Sequence, residues 1–285
     1  MNARIDSEPK VWLITGCSSG FGREIALLAL AAGEKVGVSA RNIRTISDIC
    51  DRYPKTAIPI TLDVTQEKER KSAINDVKNN FGRIDVLVNN AGYGYLSAIE
   101  EGEDIEVFKL FETNFFGALS LTKMVLPLMR AQKSGRIINN SSQAGLMANP
   151  GTGYYSATKY ALEGLMEALA KEVAQFNIFV TSIEPGAFRT DWSGRSMRRS
   201  NIEILDYADS VKNRLDMISD IDGKQPGDPE RAAKIIFELS RHPSPPTQLL
   251  LGAGVLASYR EKLDKMKTSL QQWEEVTLSA DFPKP

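Results

Sequence analysis

Apolar-rich runs of six to nine residues alternate with helix-length segments along most of the chain. The runs occupy residues 10–15, 35–40, 57–64, 83–90, 135–142, 177–185 and 246–252. Runs without strict polar alternation are typical of strands that are buried on both faces of a sheet, with helices crossing over between them. The pattern therefore predicts an α/β fold, namely a doubly wound, mainly parallel seven-stranded sheet with helices on both faces.

The composition is that of one large globular domain without a strong charge field. The chain has 285 residues, of which 42% are hydrophobic, and it carries a formal net charge of -1. A core of that size needs no second domain, so we expect a single domain over residues 1–285. The weak net charge argues against partners such as nucleic acid or an anionic membrane surface.

Several features predict a cytoplasmic protein. The first ten residues are polar, and the longest apolar run, residues 25–33, is far too short to cross a bilayer. Cys17 and Cys50 could form a disulfide, but we expect reduced thiols. His242 is the only histidine, so the chain offers few of the usual zinc ligands and we predict no metal site.

The segment "TGCSSGFG" (15–22) lies between the first predicted strand and the first predicted helix. Glycines at positions 16, 20 and 22 would let the backbone approach a pyrophosphate, which would then lie at the start of a helix. Three glycines in a loop can also be only a tight turn. The position directly after the first strand favours a dinucleotide-binding turn.

The end of the second predicted strand reads Ala40-Arg41. An acidic residue there would bind the free ribose hydroxyl of NAD, whereas an arginine can pair with the 2′-phosphate of NADP. The alternative is an ordinary surface arginine. We expect NADP(H), with NAD(H) less favoured.

The segment "YYSATKYALEG" (154–164) places Tyr155 one helical turn before Lys159. Tyrosine, with a usual pKa of about 10, is a poor acid–base group near neutrality. A nearby ammonium group, or an oxidised nicotinamide, would lower the pKa of Tyr155 and so allow proton transfer without histidine. A tyrosine at a helix start is otherwise most often a packing residue.

Seven motifs in order give the chain a specific resemblance. They are "TGCSSGFG", "LDV" (62–64), "NNAG" (89–92), "NFFG" (114–117), "SS" (141–142), "YSATK" (155–159) and "PGAFRT" (185–190). Together they resemble the single-domain short-chain dehydrogenase/reductase family over roughly residues 10–250. The resemblance implies a Rossmann-type fold and an oxidoreductase.

The resemblance also implies the roles of individual residues. The catalytic residues would be Asn114, Ser142, Tyr155 and Lys159, with Ser142 binding the substrate oxygen and Asn114 holding a water near Lys159. The cofactor-binding residues would be Gly16, Ser18, Ser19, Gly20, Phe21, Gly22, Arg41, Asp63, Val64, Asn90, Ala91, Gly92, Tyr155, Lys159, Pro185, Gly186, Phe188 and Thr190.

Two positions depart from the family pattern. Many NADP-using members have a basic residue inside the glycine turn, where this chain has Ser19. The 2′-phosphate would then depend mainly on Arg41. Asn140 stands where an aliphatic residue is common, and a buried amide at that position needs a hydrogen-bond partner.

The substrate pocket should have a mainly aromatic and apolar wall, which suits a hydrophobic ketone, aldehyde or secondary alcohol. We expect its residues to be Tyr93, Tyr95, Gln143, Met147, Phe188 and Trp192. The polar segment 187–227 is interpreted as a mobile lid that lacks strands. Its arginines 189, 195, 198 and 199 fit a solvated basic loop better than a site for an acidic substrate group.

The C-terminal segment at about 255–276 has the periodicity of an amphipathic helix, which could pack on its own domain or on a partner subunit. The leading functional hypothesis is an NADP(H)-dependent carbonyl reductase or alcohol dehydrogenase acting on a small molecule, with homo-oligomer formation left open. Two alternatives are a non-catalytic dinucleotide-binding regulator and an isomerase or dehydratase that uses the same site.

Overall fold

The computed structural model describes residues 8–192, 194 and 196–282, and Arg195 lies outside them. A sheet of seven parallel strands runs through the centre of the molecule. Its strands are β1 (Val11–Ile14), β2 (Lys35–Ala40), β3 (Ala57–Thr61), β4 (Val86–Asn89), β6 (Gly135–Asn140), β7 (Ile178–Pro185) and β9 (Gln248–Leu251), and two short strands, β5 (Gly94–Leu96) and β8 (Met197–Arg199), pair separately.

Nine α-helices connect the strands within the described residues. They are α1 (Gly20–Ala31), α2 (Ser47–Arg52), α3 (Glu67–Phe81), α4 (Asp104–Phe111), α5 (Ala118–Gln132), α6 (Gly153–Val173), α7 (Asn213–Asp220), α8 (Pro229–Arg241) and α9 (Ala253–Leu278). A π-helical turn, Glu112–Gly117, joins α4 to α5.

The apolar strands form two cores because helices cover both faces of the sheet. On one face Trp12 and Val88 pack with residues of α1, α2 and α8. On the other face Leu13 and Leu87 pack with residues of α3, α5 and α6. Adjacent residues of β1 thus serve opposite cores, which explains why its sequence is apolar without alternation. The fold is the predicted Rossmann-type single domain.

The strand order is β3-β2-β1-β4-β6-β7-β9. From β1 the chain first builds outward through β2 and β3, then returns to place β4 on the other side of β1. The carboxyl ends of β1 and β4 therefore diverge at a topological switch point, where open α/β sheets bind ligands. The glycine turn and the "NNAG" segment both begin at that point.

The prediction that segment 187–227 lacks strands is wrong. Residues 197–199 form β8, which pairs in parallel with β5. The ladder is extended by hydrogen bonds from the Gly94 amide to Ser196 O at 2.9 Å and from the Ser200 amide to Leu96 O at 3.1 Å. A three-residue strand can form here because its partner lies in the loop that follows β4, which tethers the segment to the main body.

The C-terminal helix is longer than predicted and covers little of its own domain. Val255, in its first turn, is buried, but all residues from Leu263 to Phe282 are exposed. Within the described residues no helix is long and apolar enough to cross a membrane.

Candidate active site

A cavity of about 650 Å³ opens at the carboxyl ends of the parallel strands. Its wall includes the loops that follow β1, β2, β3, β4, β6 and β7, together with part of segment 187–227. The predicted cofactor-binding residues all line this cavity except Gly22. One sheet edge thus brings together motifs that are spread over 175 positions of the sequence, from Gly16 to Thr190.

The glycine turn is held closely against the loop after β4. Gly16 has a φ of +72°, which favours glycine. A Cβ atom at Gly22 would lie 2.4 Å from Nδ2 of Asn90 and 2.5 Å from the Gly16 carbonyl oxygen. Gly22 therefore supports the turn from behind, and any larger residue would push the turn out of position.

The start of α1 is suited to an anion. Among the described residues no side chain caps its first amides, and its first turn contains no acidic residue. Gly20 and Phe21 of this turn line the cavity. Uncapped amides and the positive end of the helix dipole favour a phosphate group. The turn therefore fits the pyrophosphate of a dinucleotide.

The residues that were predicted to bind the adenosine part of the cofactor lie together in the cavity wall. Ala40, Arg41, Asp63 and Val64 all line it, and Arg41 is exposed. The Asp63 carboxylate accepts hydrogen bonds from the amide and the hydroxyl of Thr65, at 2.9 and 2.8 Å, which fixes the loop after β3.

Tyr155, Ser142 and Lys159 line one region of the cavity. Tyr155 and Lys159 are only 5% and 6% exposed, although both reach the cavity. The ammonium group of Lys159 donates to the Asn140 carbonyl oxygen at 2.7 Å and lies 5.6 Å from the centre of the Tyr155 ring. The Ser142 hydroxyl oxygen accepts from the Ala144 amide at 3.1 Å, which orients this side chain at the end of β6.

A chain of hydrogen bonds connects Lys159 to the glycine turn. Nδ2 of Asn140, whose carbonyl oxygen holds Lys159, donates to Oδ1 of Asn90 at 2.9 Å. Nδ2 of Asn90 in turn donates to the carbonyl oxygens of Thr15 at 2.8 Å and Gly16 at 3.0 Å. The amide of Asn140, the residue that departs from the family pattern, thus finds its hydrogen-bond partner in this link. Its partner, Asn90, could not be identified from the sequence.

Asn114 lies in the π-helical turn and is almost fully buried. Its Oδ1 accepts from the Tyr93 amide at 3.0 Å, and its Nδ2 donates to the Tyr93 carbonyl oxygen at 2.9 Å. The side chain does not line the cavity. It fixes the loop that carries Gly92 and Tyr93, and its predicted role in holding a water stays a prediction.

The expected lowering of the Tyr155 pKa is wrong for the protein alone. Burial raises the pKa of Tyr155 from its usual 10 to about 12, and the neighbouring side chains of Ser142 and Trp192 oppose this shift only in part. Burial also lowers the pKa of Lys159 to about 8, against the opposing effect of Glu163. Desolvation is the largest cause of both shifts, because it disfavours the charged form of each group.

Two carboxyl groups lie behind Lys159, within the body of the protein. Glu163 follows Lys159 by one turn of α6, and Glu184 of β7 is fully buried. Nε2 of Gln248 donates to Glu163 at 3.2 Å. Burial, followed by the proximity of Glu163, raises the pKa of Glu184 to about 8. Burial therefore favours the protonated form of Glu184.

The substrate side is only partly as expected. Tyr93, Gln143, Phe188 and Trp192 line the cavity, and the rings of Trp192 and Tyr155 have their centres 5.3 Å apart. Tyr95 does not line it, because its ring is buried in a cluster with Leu110 and Ala144 and its hydroxyl accepts from the Glu103 amide at 3.0 Å. Met147 also lies outside the lining, on the half-buried loop beyond the first turn after β6.

Sequence reasoning missed one wall of the cavity. Residues of α7 line it, namely Arg214, Met217 and Ile218, together with Ile221 just after the helix. The only signal in the sequence was an apolar spacing of three to four residues inside a polar segment. That spacing predicts a helix but not the surface against which the helix packs.

Two arginines of segment 187–227, Arg189 and Arg198, are held by other residues of the protein. Arg198 pairs with Glu106 at 2.8 Å and lies 4.9 Å from the centre of the Tyr93 ring. Nε of Arg189 donates to the Gln225 carbonyl oxygen at 2.7 Å. Intramolecular partners of this kind favour the basic-loop interpretation over an acidic substrate group.

A doubly wound sheet that combines a dinucleotide-binding turn with a buried tyrosine and lysine in one cavity defines a nicotinamide-dependent oxidoreductase. The chain belongs to the short-chain dehydrogenase/reductase family, since the family model described as short chain dehydrogenase matches residues 10–201. Enzymes of this family act on CH–OH or C=O groups, and the arrangement of residues in this cavity is suited to the same chemistry.

Individual relatives agree with this assignment. The 3-ketodihydrosphingosine reductase of Bacteroides thetaiotaomicron is 34% identical over 93% of this chain and 96% of its own length. The crystal structure of a short-chain dehydrogenase from Streptomyces avermitilis is 42% identical, with a TM-score of 0.91 over 96% of this chain and 100% of that one. A structure described as ElxO with NADP bound is 29% identical, with a TM-score of 0.73 over 88% of this chain and 100% of that one.

Proposed function

We propose that this protein is an NADP(H)-dependent oxidoreductase that transfers a hydride between the nicotinamide and a hydrophobic ketone, aldehyde or secondary alcohol. The observation that carries the proposal is the convergence of Tyr155, Ser142 and Lys159 in the same cavity as an uncapped helix N-terminus. A site for a dinucleotide and a proton donor beside it are what carbonyl reduction requires.

The nicotinamide supplies or accepts the hydride when it is bound. The chain's own groups handle the proton and the developing charge. The Tyr155 hydroxyl donates a proton to the substrate oxygen during reduction and recovers it in the reverse direction. The Ser142 hydroxyl donates a hydrogen bond to the same oxygen and stabilises negative charge there.

Lys159 makes the proton transfer easier through its charge. Its ammonium group, held by the Asn140 carbonyl oxygen, favours the phenolate form of Tyr155 and can also bind the ribose hydroxyls of the cofactor. The protein alone keeps the pKa of Tyr155 at about 12. The positive charge of an oxidised nicotinamide would act in the same direction as Lys159, so Tyr155 would become a competent base only in the complex.

The preference for NADP(H) is supported by Arg41 and Ala40. Arg41 is exposed at the rim of the cavity, and the neighbouring Ala40 carries no charge that would repel a 2′-phosphate. A guanidinium group pairs with phosphate through charge-assisted hydrogen bonds. A cytoplasmic location, where NADPH serves reduction, is part of this proposal, and both cysteines are free thiols.

The preference for an apolar substrate is supported by the wall opposite the glycine turn. Tyr93, Trp192, Met217, Ile218 and Ile221 contribute aromatic and aliphatic surface there. The Bacteroides relative is named 3-ketodihydrosphingosine reductase, and a keto substrate with an apolar body would fit such a wall.

The experiment is a screen of NADPH consumption against ketones and aldehydes of increasing chain length. We expect turnover to rise with apolar surface and to be lost in the Ser142→Ala variant. Binding of NADPH without turnover of any carbonyl or alcohol would instead favour a regulator. Product formation without net NADPH consumption would favour an isomerase or dehydratase.

A further inference from the structure

Helix α9 projects beyond the body of its own domain. Lys262 is its last anchor, since its ammonium group donates to the Leu146 carbonyl oxygen and to the Tyr160 hydroxyl, the latter at 2.9 Å. All residues from 263 to 282 are exposed, although the helix continues to Leu278. At 1.5 Å per residue, roughly 22 Å of helix has no support from the described part of the chain.

The projecting part carries a regular apolar seam. Intervals of three and four residues alternate along Leu256, Tyr259, Leu263, Met266, Leu270 and Trp273. The last four of these side chains are 46%, 50%, 69% and 61% exposed. A 3.5-residue repeat is the spacing by which one helix packs against another along its whole length. The seam is therefore shaped for a second helix.

The charges of α9 argue against a membrane surface as the occupant. The helix has four basic and four acidic residues, so its net charge is zero. They are Arg260, Lys262, Lys265 and Lys267, and Glu261, Asp264, Glu274 and Glu275. Helices that lie on anionic lipid carry an excess of basic residues on the polar face. Here the basic and acidic residues cancel, so the helix has no electrostatic attraction for such a surface.

The order of the charges makes the seam complementary to itself. One side of the seam is flanked by charged residues at intervals of seven, namely Arg260, Lys267 and Glu274. The two basic residues come first along the helix and the acidic residue comes last. An antiparallel second copy would place Lys267 beside Glu274 of the other copy, twice by symmetry. A parallel copy would instead place Lys262 beside Lys267 of the other copy, and like charges at such positions oppose pairing.

We propose that α9 pairs in an antiparallel manner with α9 of a second copy of this chain, with the crossing centred on the part of the seam formed by Leu270 and Trp273. The pairing would bury Leu270 against Trp273 of the other copy. The proposal does not depend on the proposed function, because no residue of the seam lines the cavity.

The test is the number of chains per particle, measured by sedimentation velocity on the full chain. Leu270→Glu places a charge in the centre of the seam, and Leu270 is too exposed for this change to unfold the domain. Gln272→Glu adds the same charge on the opposite face of α9 as a matched control. We expect Leu270→Glu to halve the number of chains per particle and Gln272→Glu to leave it unchanged.

A charge exchange tests the orientation. Lys267→Glu and Glu274→Lys should each weaken the self-association by about tenfold, and the double variant should recover most of the parent's affinity. A parent that is monomeric at micromolar concentration, or an unchanged state in Leu270→Glu, would overturn the proposal. A double variant as weak as either single one would exclude the antiparallel pairing, and a monomer that co-sediments with phosphatidylcholine vesicles would point to a lipid occupant instead.

Discussion

Tyr154 and Tyr155 are adjacent in the chain but lie in different surroundings. The Tyr154 hydroxyl donates to the Ile99 carbonyl oxygen at 2.6 Å, whereas Tyr155 lies in the cavity beside Ser142 and Trp192. Tyr155→Phe should keep the fold and NADPH binding, because only the phenolic oxygen is removed. Turnover should fall by about 10²–10⁴-fold, since the proton donor is lost.

The matched control for that variant is Tyr154→Phe, which loses one hydrogen bond worth about 1 kcal/mol and should retain turnover. The measurement is steady-state reduction of one accepted carbonyl, with NADPH affinity determined separately by fluorescence. Parental turnover in Tyr155→Phe, or loss of turnover in Tyr154→Phe, would contradict the assignment.

Arg41 is the residue that should set the choice of dinucleotide. Arg41→Ala should weaken NADPH binding by about tenfold or more while NADH binding changes little, because one charge-assisted phosphate contact is lost. Ala40→Asp should shift the preference toward NADH by repelling the 2′-phosphate. Dissociation constants for both dinucleotides decide this, and an Arg41→Ala variant with the parent's preference would refute the role.

Glu184 should make the stability depend on pH. Its pKa is raised from 4.5 to about 8, so between these values the folded protein binds more protons than the unfolded chain. Stability contributed by this group is therefore lost as the pH rises from 5 to 8. The Glu184→Gln variant has no such titration. The difference between its free energy of unfolding and that of the parent should therefore increase by about 3 kcal/mol from pH 5 to pH 8.

Urea unfolding at pH 5, 6.5 and 8 measures this difference. Glu167→Gln is the control, because Glu167 is an exposed glutamate of α6 whose ion pair with Lys171 lowers its pKa. The burial-lowered pKa of Lys159 changes stability only above about pH 8, outside this window. An equal stability difference at all three pH values would show that Glu184 is ionised throughout.

At the scale of elements, the β5–β8 pair divides segment 187–227 into a tethered part and a freer part. Backbone amides near 94–96 and 196–200 should exchange slowly even without ligand, since they lie in or beside a ladder. Amides of α7, which lines the cavity, should slow only when cofactor and substrate are added. Hydrogen exchange measures both, and ligand-independent protection across the whole segment would indicate a fixed insert.

The short strands also show where sequence reasoning reaches its limit. The five central strands of the main sheet are visible as apolar runs because both of their faces are buried, whereas the edge strands β3 and β9 are partly exposed. Strand β8 reads Met-Arg-Arg and is exposed or half-buried, so its sequence has no strand pattern. It forms only because β5 lies beside it, about one hundred residues earlier in the chain. The misplacement of Tyr95 has a similar origin, since the residues that bury its ring, among them Leu110 and Ala144, come from other elements of the fold.

At the scale of the whole molecule, the positions of the motifs were predictable but the electrostatics were not. The order of the motifs indicates the fold, and the fold brings Gly16, Asn90, Ser142 and Tyr155 to one sheet edge. The pKa of Tyr155 depends instead on how much of the protein surrounds it, which a spacing of four residues cannot show. The partner of Asn140 likewise depends on the contact between the loops after β4 and β6.

The burial of both cysteines makes the native molecule suitable for site-selective chemical labelling. Cys17 is buried within the glycine turn, and burial raises its pKa to about 12 and that of Cys50 to about 11. At pH 8 the reactive thiolate fraction of Cys50 is roughly 10⁻³, and that of Cys17 is smaller. Ellman's reagent should therefore find almost no fast thiol in the folded protein and two in urea. Rapid reaction of the folded chain with the reagent would contradict this expectation. If the native cysteines do not react, a single cysteine introduced at position 272 in place of Gln272 can be labelled with a dye while both native cysteines stay in place.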